Sequence, residues 1–291
     1  MRPRLRGIAA RTEEIVAAGA YRAPDGRTVS LEPALAAARA GTRMYGPEPV
    51  PVPAAREAET FVEVTGESSL EAARRLVGAP VAVLNFASAR NPGGGYLNGA
   101  QAQEEALCRA SALYVCLLGA RGFYDHHRAH RDPFYSDRVI HSPAVPVFRD
   151  DRGGLLPEPY LAGFLTAAAP NAGVVRRTAP ERAGELPAAL ARRAERVLET
   201  AAAQGYRRLV LGAWGCGVFQ NDPAQVAGAF RGLLGPGGRF VRRFDHVVFG
   251  VLDRTPGAMV REAFVRAFTD GRDRPASVAA PAPGSDAQVQ P

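Results

Sequence analysis

The sequence predicts an α/β domain in which helices cover both faces of a central sheet. Segments with strand and helix patterns alternate along the chain from about residue 60, and the strand segments are continuously apolar. Continuous apolar runs are typical of strands that are buried on both faces, whereas a strand with one solvated face alternates apolar and polar residues. No internal repeat is visible in the 291 residues.

Each element is predicted from its own pattern. Residues 1–60 contain two or three segments with helical spacing joined by proline-rich stretches, which predicts a helical accessory segment before a main domain at 61–270. The tail at 271–291 has the composition of a disordered segment. The predicted order in the main domain is strand 60–66, helix 68–77, strand 80–88, helix 102–118, strands 138–150 and 160–170, helix 185–205, strand 207–217, helix 222–235, strand 245–253 and helix 259–268. Because the 138–150 strand contains prolines, we expect it to be irregular or close to an edge.

Composition and charge limit the class of protein. No apolar run approaches the roughly 20 residues of a membrane span, and Glu13 and Glu14 interrupt the basic N-terminus too early for a signal peptide. We therefore expect a cytoplasmic protein without a membrane partner. All 36 basic residues are arginine, which excludes a catalytic lysine. The net charge of +7 favours a polyanionic partner, although an arginine-rich genome would explain it equally well.

Two glycine-rich loops follow buried strands. Their sequences are NPGGGYLNG, from Asn91, and GAWGCGVFQND, from Gly212. Ligands of α/β proteins lie beyond the carboxyl ends of the strands, where glycine lets backbone N–H groups approach a phosphate. Each loop precedes a helix whose N-terminus favours an anion. A pair of such loops suits a diphosphate held from both sides; each loop alone is equally compatible with a tight strand-to-helix turn.

Two adjacent carboxylates begin the helix after the first loop. Neighbouring helical residues diverge by about 100°, so Glu104 and Glu105 are expected to have different roles, one holding a ligand hydroxyl and the other transferring a proton. A carboxyl group in a desolvated site beside another carboxylate can have a raised pKa, and such an acid can protonate a departing sugar oxygen. Gln103 is a candidate for orienting either glutamate. For one of the two, stabilisation of the helix N-terminus is a sufficient explanation.

Taken together, these residues resemble the motif of the poly(ADP-ribose) glycohydrolases, and most closely their smaller bacterial type. The motif is a glycine triplet, then a short spacer, then Gln-Glu-Glu; here seven residues separate Gly95 from Gln103. Segments 131–151 and 212–230 and the N-terminal helices are also similar to that type, so the resemblance covers most of residues 1–270. It implies a macrodomain-type three-layer α/β/α fold with a mixed sheet and N-terminal helical additions.

The resemblance also implies a function and a role for individual residues. The implied reaction is hydrolysis of ribose–ribose O-glycosidic bonds in ADP-ribose polymers, mainly from chain ends, by a monomer that acts on ADP-ribosylated proteins without a metal or cofactor. Glu105 is the implied catalytic acid, and Glu104 the implied holder of ribose hydroxyls. Around the diphosphate, the implied binding residues are Gly93, Gly94 and Gly95 on one side, where they also approach the distal ribose, and Gly215, Cys216, Gly217 and Val218 on the other side. Asn91 is implied at the distal ribose, Phe219 at the adenosine end or ribose, and Glu67 at the adenine amino group. Gln103 is also an implied substrate-binding residue.

Other functions remain open at this point. A non-catalytic macrodomain that reads ADP-ribose would need both glycine loops but not the paired glutamates. A hydrolase of mono-ADP-ribosyl or acyl-ADP-ribose links would use the same pocket. A Rossmann dehydrogenase is disfavoured, because no GxGxxG follows the first strand. The aromatic residues Tyr124, Phe134 and Tyr135 are candidates either for stacking on a base or for core packing.

A histidine cluster lies between the predicted helix and strand. His126 and His130 would have a metal-ligand spacing if they lay on a helix, but no HExxH accompanies them, and we interpret the cluster, which includes His127, as a solvated arginine-rich loop. His141 and His246 lie singly near strands, where a hydrogen-bonded structural role is expected.

Overall fold

A computed structural model describes residues 3–54 and 59–269 of the chain. The strands in this part are β1 Ala20–Arg22, β2 Thr28–Ser30, β3 Arg43–Tyr45, β4 Phe61–Thr65, β5 Val81–Phe86, β6 Val139–Arg149, β7 Leu155–Ala167, β8 Arg208–Leu211 and β9 His246–Gly250. The α-helices are α1 Pro3–Ala18, α2 Glu32–Gly41, α3 Ser69–Arg75, α4 Gln103–Ala110, α5 Leu113–Gly119, α6 Arg121–Ala129, α7 Ala172–Thr178, α8 Leu186–Ala203, α9 Pro223–Leu234 and α10 Met259–Thr269. The predicted disordered tail at 271–291 lies outside the described residues.

Seven strands form one mixed sheet in the order β3-β6-β7-β5-β8-β9-β4. The neighbours from β7 to β4 are parallel, whereas β6 is antiparallel to both β7 and β3. The carboxyl ends of β4, β5, β7, β8 and β9 therefore meet at one edge of the sheet. The short strands β1 and β2 form a separate antiparallel pair.

Helices cover both faces of the sheet, as the continuously apolar strands predict. Alternate residues of β5 show the two layers: Val81 and Val83 pack into the cluster that contains residues of α1 to α6, while Ala82 and Leu84 pack into the cluster of α8 to α10. All four side chains are buried. Among the helices in the described part of the chain, none combines the length and apolar character that a membrane crossing requires.

Three local predictions need correction. The segment 1–60 contains strands as well as helices, because β3 pairs with β6 and extends the main sheet. The predicted helix 102–118 is two helices, since Ser111 is extended and bridges to Val147 of β6. The predicted histidine loop is helix α6, which buries Phe123, Tyr124 and His127 on one face and leaves its arginines outside.

The proline-containing strand agrees with its prediction. Strand β6 lies next to the edge strand β3, and its register with β7 shifts between Ser142 and Val145. Pro143 lies inside this shift, and Ala144 has a φ of 45°. The irregularity therefore occurs where proline removes a backbone donor and the next residue leaves the extended conformation.

Candidate active site

Both glycine loops lie at the edge of the sheet where the parallel strands end. The first follows β5 and the second follows β8, and these two strands are hydrogen-bonded neighbours. The loops therefore start side by side, although 119 residues separate Gly95 from Gly215 in the chain. This is the position at which α/β folds bind ligands.

The first loop packs its backbone directly against the paired glutamates. Gly93 and Gly94 have φ values of 65° and 57°, in the left-handed region that glycine tolerates best. A Cβ added to Gly94 would lie 2.5 Å from Glu105 Oε1 and 3.2 Å from Glu104 Oε2. The N–H of Gly95 donates to Glu105 Oε1 over 2.9 Å. The triplet thus lets the main chain reach both carboxylates.

Glu104 is turned towards the sheet. Its side chain is 3% exposed; Oε2 accepts the Ser88 N–H over 2.7 Å, and Oε1 accepts the amide of Asn85 over 3.3 Å. Burial raises the pKa of Glu104 to about 8, an effect that the hydrogen bonds from Ser88 and Asn85 oppose and the neighbouring Glu105 charge adds to. Burial of Glu104 therefore favours the protonated form of this carboxyl group.

Glu105 has a different environment. Its side chain is also buried, and Oε1 accepts the Gly95 N–H, but Oε2 has no hydrogen-bond partner within the described part of the chain. A buried polar oxygen without a partner is rare in folded proteins and requires an explanation. The two glutamates thus have different environments: each oxygen of Glu104 has a protein hydrogen-bond partner, whereas Oε2 of Glu105 has none within the described residues.

Gln103 fixes the start of the glutamate helix. Its side-chain oxygen accepts the Phe86 N–H over 2.9 Å, and its amide donates to the Leu84 carbonyl over 2.8 Å and to Ser69 Oγ over 3.1 Å. These bonds attach α4 to the end of β5. Two of them run to β5 and one to Ser69 of α3, and none runs to either glutamate, so Gln103 places the pair by holding the helix.

The second loop closes on an asparagine that the sequence reasoning did not single out. Gly215 has a φ of 72°, and a Cβ added there would lie 2.5 Å from Ala169 Cβ and 2.6 Å from Asn221 Nδ2. The buried Asn221 amide donates to the carbonyls of Pro170 and Gly215 over 2.8 and 3.1 Å. It therefore joins this loop to the end of β7. An asparagine within a glycine-rich loop was the available signal, because asparagine commonly bonds nearby backbone.

Beyond Gly215 the second loop is open. A Cβ added to Gly217 would meet no atom within 4 Å, and Val218 is 83% exposed. Cys216 is partly buried, and burial raises the pKa of its thiol to about 12. Phe219 is half-buried and packs at the border of the core cluster around α8 to α10.

Of the three candidate aromatic residues, Tyr135 is the one that lies at the loops. Its half-buried ring is 5.7 Å from the Phe219 ring of the second loop and 6.0 Å from the guanidinium carbon of Arg90 in the first. Its φ is 59°, which is unusual for a bulky residue. Tyr124 is fully buried and Phe134 nearly so, so both serve core packing.

Glu67 lies just after β4, and Asn91 lies at the start of the first glycine loop. Glu67 follows β4, and its carboxylate forms a two-bond ion pair with Arg75, at 3.0 and 2.8 Å. This pairing lowers the pKa of Glu67. Asn91 is exposed at the entrance to the first loop, where its carbonyl accepts the Gly94 N–H over 3.0 Å.

The histidines belong to the scaffold around the site. His127 is buried beside Ser136 Oγ at 2.7 Å, and burial lowers its pKa to about 4. His126 and His130 stack with ring centroids 4.1 Å apart. His141 is hydrogen-bonded to Tyr206, and His246 to Glu63, as expected for structural histidines. Within residues 3–54 and 59–269, no three His, Cys, Asp or Glu side chains are grouped so that they could hold a metal ion.

Comparisons with known proteins identify the relatives of this arrangement. The family model for the catalytic domain of microbial-type PARG, the poly(ADP-ribose) glycohydrolases, matches residues 9–150. The crystal structure of poly(ADP-ribose) glycohydrolase from Thermomonospora curvata is 51% identical, with a TM-score of 0.88 over 92% of this chain and 100% of that chain. The same protein bound to the inhibitor ADP-HPD is also similar, at 51% identity and a TM-score of 0.84 over the same shares of the two chains.

A second organism supplies a further similar structure. Poly(ADP-ribose) glycohydrolase from Deinococcus radiodurans in complex with ADP-ribose is 44% identical, with a TM-score of 0.74 over 81% of this chain and 96% of that chain. A search of curated proteins gives no match. The similarity to both structures covers more than four fifths of the chain.

Proposed function

The chain belongs to the microbial-type poly(ADP-ribose) glycohydrolases, and from that premise we propose that Glu105 is the general acid with which it cleaves ADP-ribose polymer. The enzyme is a glycosidase. The observation that supports the residue assignment is the buried Glu105 Oε2, which has no partner within the described residues while every other oxygen of the glutamate pair is hydrogen-bonded.

The diphosphate of an ADP-ribose unit is proposed to lie between the two loops. Gly93, Gly94 and Gly95 present backbone on one side, and Gly215 to Val218 present backbone on the other. The open space at Gly217 and the exposure of Val218 support a ligand contact there. Phe219 would pack against the adenosine end or ribose, and Asn91 would face the distal ribose. A related structure in complex with ADP-ribose agrees with this choice of ligand.

Glu105 would act on the bond between two riboses. The bond from the distal ribose carbon to the 2′ oxygen of the next adenosine ribose breaks as the Glu105 proton moves to that oxygen, because an alkoxide is a poor leaving group. Water then forms a new bond to the ribose carbon and returns a proton to the carboxylate. The Gly95 N–H holds Oε1, so that Oε2 is the oxygen left for this transfer.

Glu104 would hold the ribose without sharing in proton transfer. Burial raises its pKa and so favours its neutral form, which reduces charge repulsion between the adjacent carboxyl groups. A neutral carboxyl group can also donate a hydrogen bond to a sugar hydroxyl. Gln103 would support both glutamates through helix α4. Glu67, paired with Arg75, would face the adenine amino group from the end of β4.

Replacement of the proposed acid tests the assignment. Glu105→Gln keeps the shape of the side chain but removes the acid, so we expect turnover of polymer to fall by about 10²-fold or more. Binding of ADP-ribose, measured by calorimetry, should persist. Glu262→Gln, at an exposed glutamate on α10, is the matched control. Turnover close to that of the wild type in Glu105→Gln would remove Glu105 from the mechanism.

The same chemistry predicts which bond is cut. An ester link to a protein carboxylate already has a good leaving group, so it gains little from proton donation by Glu105. It also lacks the adenosine of a further unit, which would fill the neighbouring part of the site. The last protein-linked ADP-ribose should therefore remain in place. We also propose that units are removed chiefly from chain ends. Mass spectrometry of automodified protein after exhaustive digestion decides both points: bare side chains contradict the bond assignment, and early release of oligomers contradicts the end preference alone.

The polymer is proposed to be carried by ADP-ribosylated proteins in the cytoplasm, where the enzyme acts as a monomer. The net charge of +7 suits a polyanionic substrate. All three cysteines are free thiols, which suits a reducing compartment. Light scattering coupled to size-exclusion chromatography would reveal a dimer if the monomer proposal is wrong.

A further inference from the structure

The first glycine loop has a buried tyrosine as its next residue. Tyr96 directly follows Gly95, the residue whose N–H binds the proposed acid, and its side chain is fully buried. Its backbone N–H donates to the Gly93 carbonyl over 3.0 Å, so the tyrosine closes the turn that contains the triplet. The position of the Tyr96 ring therefore sets the position of the Gly95 N–H.

The hydroxyl of that tyrosine is held by the N-terminal helix. Tyr96 Oη lies 2.8 Å from Glu13 Oε1 and 3.2 Å from the Ala9 carbonyl, both on α1. Glu13 is partly buried, and burial raises its pKa. A partly buried carboxyl group facing a fully buried hydroxyl is a costly arrangement unless the two are paired, so this contact selects one orientation of the loop against α1.

A second contact joins α1 to the glutamate helix and to the far end of the same loop. Thr12 Oγ1 donates to the Arg109 carbonyl at the end of α4 over 2.8 Å and accepts Arg149 Nε over 3.0 Å. The Arg109 guanidinium in turn donates to the Ala100 carbonyl over 2.7 Å. Helix α1 therefore contacts the element that bears Glu105 as well as the loop that binds it.

We infer that α1 positions the catalytic acid, and that Tyr96 and Glu13 are the positioning residues through which it does so. The inference rests on the proposed role of Glu105. Loss of the Tyr96 hydroxyl would leave Glu13 without its partner and free the turn to move. The bond from the Gly95 N–H to Glu105 would then be lost in part of the population, and Oε2 would no longer be held towards the leaving oxygen. Misplacement of a catalytic group by about 1 Å can cost up to about 10²-fold in rate.

The first variant removes only the hydroxyl. For Tyr96→Phe we expect kcat on polymer to fall about tenfold, while the Kd for ADP-ribose stays within about threefold of the wild type, because the backbone that faces the diphosphate remains present. The matched control is Tyr21→Phe. Tyr21 is also a buried tyrosine of the N-terminal segment, and its hydroxyl donates to the Leu156 carbonyl over 2.8 Å, away from the site. Both variants should lose similar stability, but only Tyr96→Phe should lose kcat.

A second pair of variants separates positioning from stability. Glu13→Gln keeps an oxygen acceptor for the Tyr96 hydroxyl and should retain kcat close to that of the wild type. Glu13→Met has similar length without an acceptor and should lose kcat to an intermediate degree, since the Ala9 carbonyl remains. Equal kcat in Glu13→Gln and Glu13→Met, or equal kcat in Tyr96→Phe and Tyr21→Phe, would overturn the inference.

Hydrogen exchange gives a readout that does not depend on the role of Glu105. The Gly95 amide should exchange faster in Tyr96→Phe than in the wild type and in Tyr21→Phe, because the turn that carries this N–H is held less firmly. Unchanged protection of Gly95 would overturn the inference. If Glu105→Gln retained turnover, the proposed acid would fail, and the exchange experiment would still decide whether α1 holds the loop.

Discussion

The two glycine loops occupy equivalent places in the fold, but Gly94 of the first loop and Gly217 of the second are glycine for different reasons. In the first loop, a Cβ at Gly94 would lie 2.5 Å from Glu105 Oε1. In the second loop, a Cβ at Gly217 would meet nothing within 4 Å, and the φ of Gly217 does not lie in the left-handed region. The first loop needs glycine because of the protein's own packing. No packing within the described residues requires glycine at Gly217, so the space is available for a ligand.

The loops also differ in what surrounds them. The first lies over two buried carboxyl groups and is backed by α1 through Tyr96. The second is closed by the Asn221 amide and contains the exposed Val218. The comparison suggests that the first loop mainly positions the proposed acid and that the second loop mainly binds the ligand. Substitutions that affect rate and affinity separately can test that division.

The largest effect is expected at Gly94. An alanine there would need a left-handed backbone at φ 57° and would push against the proposed acid. We expect Gly94→Ala to lower turnover by about 10²-fold or more, with a modest loss of stability of about 1 kcal/mol. Gly228→Ala in helix α9 is the control, because its added methyl meets nothing within 4 Å. Turnover within a few-fold of the wild type would show that Glu105 tolerates displacement and would remove the steric basis of the comparison.

A smaller effect, and on a different quantity, is expected at Gly217. The added methyl of Gly217→Ala has no protein atom to strike, so the melting temperature should stay within about 1 °C of the wild type. If the diphosphate approaches this backbone, the Kd for ADP-ribose should rise about tenfold. Gly215→Ala in the same loop should instead lower the melting temperature, since its methyl would lie 2.5 Å from Ala169 Cβ. Unchanged affinity in Gly217→Ala would mean that the open space serves no ligand.

A third test concerns pH and should appear at the first loop alone. Burial raises the pKa of Glu104 to about 8 from 4.5, so the folded protein binds this proton more tightly than the unfolded chain. Stability should therefore fall as pH rises from about 5 to 8, on the order of 1 kcal/mol per pH unit, and then level off. Glu104→Gln should lose this dependence. The difference between its melting temperature and that of the wild type should therefore shift in favour of the variant as pH rises.

A variant of the second loop provides the control for that pH series. Burial raises the pKa of the Cys216 thiol to about 12, and a thiol in the unfolded chain titrates near roughly pH 8.5, so Cys216 ionises in neither state between about pH 5 and 7. The melting curves of Cys216→Ser and wild type should therefore run parallel across this range. Parallel curves for Glu104→Gln as well would show that Glu104 ionises as readily in the folded protein as in the unfolded chain.

Local sequence was sufficient for the chemistry-bearing segments. Apolar runs predicted β5, β8 and β9, and the glycine triplet with Gln103-Glu104-Glu105 identified the family. The 100° step between adjacent helical residues predicted that the glutamates would have different partners. Each of these inferences depends on residues close together in the chain, because the spacing of such residues determines the directions in which their side chains point.

Contacts between distant segments decided what the sequence did not show. Helix 102–118 has an unbroken helical pattern, yet it is interrupted at Ser111 because β6 bridges to that residue. The histidine segment is polar in sequence but forms α6, because Phe123 and His127 on one face of this helix are buried in the folded protein. Neither outcome follows from local propensity, which tertiary packing overrides when a partner surface is present.

The sequence by itself determined the α/β class, the order of the strands from β4 to β9 and, through the glycine triplet with Gln103-Glu104-Glu105, the family, because hydrophobic period and turn-forming residues act over a few neighbours. Only the tertiary structure decided which glutamate has a hydrogen-bond partner on both oxygens and which on one, because the partners Ser88, Asn85 and Gly95 belong to other elements. The same holds for the pKa of Glu104, which burial sets, and for the contact of Tyr96 with Glu13, 83 residues away in the chain. Burial and long-range hydrogen bonds arise when the chain closes on itself, and no local pattern records them.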